Sequence, residues 1–135
     1  MPGIRCARLA ARLGVLPPLA LRWHLYAPDL RGFGLSGRAP GAYRVLDYAG
    51  DVIAFLRGVV RGPAAVVGHS LGAIVAIAVA ADASDLVRAA VLEEPPLGIV
   101  GAQPMRETPV HGAYRRMYEI ALQRPPLAHV AAALG

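Results

Sequence analysis

The sequence has no lysine and one cysteine, Cys6, and only 17% of its 135 residues are charged. A single cysteine excludes an intrachain disulfide, so nothing calls for an oxidising compartment and the expected location is cytoplasmic. Cys6 lies far from any catalytic pattern and reads as an inert thiol. All fourteen basic residues are arginine. Alanine is abundant as well, so the bias reads as coding preference rather than as a phosphate-binding device. The net charge of +5 would permit contact with nucleic acid or anionic lipid. The arginines are scattered from Arg5 to Arg124, however, and only Arg115-Arg116 form a close pair. With 6% aromatics and no basic run interleaved with them, no nucleic-acid partner is expected.

Long apolar runs are also scarce. Arg5, Arg8 and Arg12 precede Leu13-Gly14-Val15-Leu16 in the manner of a signal peptide, but Pro17-Pro18 and Arg22 interrupt the apolar stretch that would have to follow. The most apolar segment, Ala64 to Ala83, has about the length of a membrane span, which takes roughly 20 residues. It nevertheless contains Gly68, His69, Ser70 and Gly72, and it changes there from the β-branched pair Val66-Val67 to an alanine-rich run. A strand, a sharp turn and a buried helix explain that change, whereas one membrane helix does not. No membrane association is expected.

What remains is 56% apolar, enough for one α/β domain. Residues 1–21 carry no recognisable strand signal. Trp23 to Ala27 reads as a short strand stopped by Pro28-Asp29, and Asp29–Gly37 as a glycine-rich loop. In Tyr43–Val60, Leu46, Ala49, Val52-Ile53 and Leu56 recur at helical spacing with Asp47 and Asp51 on another face, and Gly62-Pro63 ends the pattern. Ala64–Val67 is a continuous apolar run, as for a strand buried on both faces of a parallel sheet. Ala73–Ala81 is helical, Ala89–Leu92 is the next strand, and Glu93-Glu94-Pro95-Pro96 ends it. Alternating strands and helices predict a parallel sheet of about three strands with flanking helices. Beyond Leu97 the chain is punctuated by Gly and Pro, with one helix expected over about Gly112 to Gln123.

Gly68-His69-Ser70-Leu71-Gly72 is the motif with chemistry. A serine on a tight strand-to-helix turn adopts an unfavourable backbone conformation, and small neighbours let strand and helix approach it. The turn lifts the hydroxyl to the carboxyl edge of the sheet, where open α/β sheets bind ligands. The start of a helix there favours developing negative charge, with the backbone N–H of Leu71 as one oxyanion donor. An ordinary Gly-rich turn with a capping serine is the bland alternative.

Two segments now carry a family resemblance. Tyr26-Ala27-Pro28-Asp29-Leu30-Arg31-Gly32-Phe33-Gly34-Leu35-Ser36 resembles the end of the strand two before the nucleophile strand in α/β-hydrolase-fold enzymes. Val66-Val67-Gly68-His69-Ser70-Leu71-Gly72-Ala73 resembles their nucleophile elbow, and one helix separates the two as in that family. The resemblance covers about residues 22–97. It implies an α/β-hydrolase core fragment over 22–97, a poorly defined segment over 1–21, and the opening of a helical cap over 98–135. It further implies Ser70 as nucleophile in hydrolysis of an ester, amide, lactone or related bond of a small molecule, without cofactor or metal. A haloperoxidase-like or carbon–carbon hydrolase reaction fits the same residues.

The family places its acid and then its histidine after later strands, and the chain is expected to stop short of both, as a truncated member. Glu94 or Glu93, ending the strand after the elbow, occupies a position from which some family members supply the acid. His111 and His129 fall in the expected cap and read as packing or solvent-facing residues. His69 reads as a packing or hydrogen-bonding neighbour of the turn, not as the base. Asp29, Arg31 and Gly32 read as shaping their loop by local hydrogen bonds. A non-catalytic short relative that binds a ligand or partner is the alternative from another class. With open strand edges, the isolated chain is expected to be marginally stable or prone to aggregation, and its oligomeric state is left open.

Overall fold

The computed structural model describes residues 14–97, the backbone of Arg5–Cys6, and isolated positions at 111, 112, 115, 116, 119 and 123. The chain divides into two compact units, Met1–Pro95 and Pro96–Gly135. In the second, the described positions 111, 112, 115, 116 and 119 are helical. Arg115 Nε donates to Glu119 Oε1 at 3.0 Å, one helical turn away. His129 lies outside the described residues.

The first unit runs β1 (Arg5–Cys6), α1 (Leu16–Ala20), β2 (Tyr26–Ala27), α2 (Val45–Phe55), β3 (Ala64–His69), α3 (Leu71–Asp82) and β4 (Val87–Glu93). β1 pairs with β2 and β3 with β4, both parallel, so the α/β class expected from the alternation is the class observed. Two details differ. The described residues hold four strands in two pairs rather than about three, and residues 1–21, expected to lack a strand, supply β1 and α1. A two-residue strand is defined by its partner, Arg5 opposite Tyr26 and Cys6 opposite Ala27, and leaves no periodic signal in sequence. α1 takes Pro17 and Pro18 in its first turn, where the missing N–H groups have no helical acceptor anyway.

α2 starts where the Asp47 carboxylate accepts the Arg44 N–H at 2.7 Å, a negative charge on the positive end of the helix. It widens into a π-helical turn over Leu56–Val60 and stops at Arg61, which takes the left-handed conformation (φ 59°) and donates its N–H to Leu56 O at 2.7 Å. Gly62-Pro63 was the expected stop, but the cap falls one residue earlier. α2 and α3 cover one face of β3. Tyr48, Ala49 and Leu56 of the first helix segment meet Val75 and Val79 of the second, with Val52, Ile53, Val66 and Leu71 packed around them.

Among the described residues, nothing packs on the other face of β3. Ala64 and Val66 turn toward the helices, while Ala65, Val67 and His69 are exposed, Val67 at 70%. Along β4 only Val87 is even half-buried. Burial on both faces, expected for these strands, is thus not observed, because among the described residues nothing packs on that side or pairs beyond β4. Among the described residues no helix is long and apolar enough to cross a membrane, since the apolar segment from Ala64 splits into β3, a turn and α3.

Candidate active site

Ser70 joins the end of β3 to the start of α3 with φ 51° and ψ −115°, a conformation that L-residues avoid. Two neighbours hold it there. Its N–H donates to Glu93 O at the end of β4 at 3.0 Å, and its carbonyl accepts the N–H groups of Ala73 (3.0 Å) and Ile74 (3.2 Å). Leu71 and Gly72 open α3, so their N–H groups have no acceptor within their own helix. They lie beside Ser70 at the positive end of the helix dipole, where a forming oxyanion would be stabilised. The two glycines of the motif do different jobs. A Cβ on buried Gly68 would collide with the carbonyl of Gly72 and reach within 2.7 Å of Ala73 N, whereas one on Gly72 would meet nothing within 4 Å.

Glu93 and Glu94 separate as well. Glu93 gives its backbone carbonyl to Ser70. Glu94 adopts the left-handed region (φ 46°) and brings its carboxylate Oε2 to 3.6 Å from His69 Nε2. Both side chains are exposed, 61% for His69 and 84% for Glu94, and the distance exceeds a direct hydrogen bond. His69 therefore borders the turn without packing into it. His24 stacks against Tyr26, ring centres 4.6 Å apart, and His111 belongs to the second unit. Among the described residues no group of three or more His, Cys, Asp or Glu could hold a metal ion.

The loop after β2 is built as its residue types foreshadowed. The Asp29 carboxylate accepts the Leu35 N–H at 2.9 Å, and the Asp29 carbonyl accepts the Ser36 hydroxyl at 2.7 Å. Gly34, at φ 51°, lies where a side chain would run into that carboxylate. Arg31 has a larger part than local turn formation. Its guanidinium grips both Asp51 oxygens at 2.6 Å and the Ala42 carbonyl at 3.2 Å, tying the loop to α2. The only sequence trace of this clamp is the acidic face of α2. A cavity of about 410 Å³ lies between loop and helix, walled by Pro28, Leu30, Val52 and Phe55 among others; Ser70 is not in its lining.

The hydrogen bonds from Arg31 hold the Asp51 carboxyl below its ordinary range, and raise Arg31 in turn. A carboxylate depressed in the folded state adds stability above the unfolded carboxylate range and loses it as pH falls through the folded value. Asp51→Asn is therefore expected to lower the urea midpoint at about pH 7, with the gap to wild type closing on acidification below the ordinary carboxylate range. A gap that stays constant across that range would show that the ionised pair does not contribute.

The alpha/beta hydrolase fold model matches residues 7–126, most of the chain and both of the segments just described. The chain belongs to the α/β-hydrolase fold family. Within this family it is similar to a 2-(acetamidomethylene)succinate hydrolase of Mesorhizobium japonicum, 39% identical over 87 residues. That match covers 62% of this chain and 31% of the relative, so the chain spans about a third of the length of that curated hydrolase. Among solved structures it is similar to E-2-(acetamidomethylene)succinate hydrolase, with 42% identity over 54% of this chain and 29% of the other, at a TM-score of 0.49.

Proposed function

We propose that this chain carries the nucleophile segment of a hydrolase that cleaves an ester, amide, lactone or related bond in a small molecule, with Ser70 as nucleophile. The observation that supports it is the left-handed backbone of Ser70 at a strand-to-helix turn braced by both α3 and β4. An ordinary capping serine sits in extended backbone and needs no such bracing. In this reading the Ser70 hydroxyl attacks the scissile carbonyl carbon, the carbonyl oxygen takes the negative charge, and the Leu71 N–H stabilises it. Glu94, rather than Glu93, is the carboxylate that would orient a histidine base, because its backbone turns it toward the β3 end while Glu93 serves through its carbonyl. The histidine base is assigned to no residue. The relative's name gives the first compounds to try, acylamino derivatives of short dicarboxylates, and a cytoplasmic setting suits the single cysteine.

The test is covalent labelling of the full chain with a fluorophosphonate probe. Ser70 is expected to be the modified residue by peptide mass spectrometry, and Ser70→Ala to abolish the adduct. A folded chain, checked by circular dichroism, that takes the label at another residue would sink the nucleophile assignment, and one that takes none would count against turnover by this chain. That second outcome would favour the non-catalytic binding relative instead.

A further inference from the structure

We draw no further inference here: the strongest candidate, the cavity between the Asp29–Gly37 loop and α2, has its polar lining side chains already engaged, Arg31 with Asp51, Asp29 with the Leu35 N–H and Ser36 with the Asp29 carbonyl, and nothing in the structure shows what covers or occupies it.

Discussion

Gly68→Ala is expected to unfold the turn at Ser70 and to lower stability by roughly 3 kcal/mol or more, while Gly72→Ala stays within about 1 kcal/mol of wild type. The same residue type stands two positions either side of the serine, so sequence alone treats the glycines alike. The structure does not. The methyl group that Gly68→Ala adds would enter the space of the Gly72 carbonyl and the Ala73 amide, which are backbone atoms at the start of α3 and cannot rotate aside. Relief requires β3 and α3 to separate, and α3 carries Val75 and Val79 of the core. At Gly72 there is open space, and alanine is the better helix former there. Urea denaturation followed by circular dichroism gives both values. A Gly68→Ala chain that unfolds at the wild-type midpoint would mean that the strand and helix do not approach this closely.

The second large effect concerns Ser70 itself. Its backbone is held at φ 51° and ψ −115° by bonds to Glu93, Ala73 and Ile74, and a residue kept in so sparse a region stores about 1–3 kcal/mol. Ser70→Gly is expected to raise stability by about 1 kcal/mol, since glycine adopts that conformation freely but loses more entropy on folding. Ser70→Val is expected to lower it by about 2 kcal/mol, because a β-branched side chain tolerates positive φ least. The order Gly above Ser above Val, read from thermal or urea midpoints, is the diagnostic. Valine and glycine of equal stability would show that the turn relaxes and stores no strain. The order matters for function because strain of this kind is retained where a side chain must be presented at a fixed point.

Much of the core was legible because each of its elements carries a local signal. Val66-Val67 bounded by Gly62-Pro63 and Gly68 marks β3, the alanine-rich run after Gly72 marks α3, and the leucine and valine spacing from Leu46 to Leu56 marks α2. β1 was not legible, since two residues hold no period and only Tyr26-Ala27 opposite them defines the strand. Nor was the stop of α2 at Arg61, where a widened turn, not a glycine, brings the chain into the left-handed region. The Asp29 loop was read as locally shaped, and it is, but its anchor, the Arg31–Asp51 pair, spans 20 residues and joins two elements whose packing sequence spacing does not encode.

By itself the sequence determined the α/β class, the family motifs and the position of the turn at Ser70, because strand, glycine-rich turn and helix are written in neighbouring residues. Only the tertiary structure decided what surrounds that turn. It put the Glu93 carbonyl on the Ser70 amide, swung Glu94 toward His69, and gave Gly68 its steric task while leaving Gly72 without one. Each of these depends on how β3, β4 and α3 meet in space, and such contacts between segments distant in sequence leave no mark in the order of residues along either one.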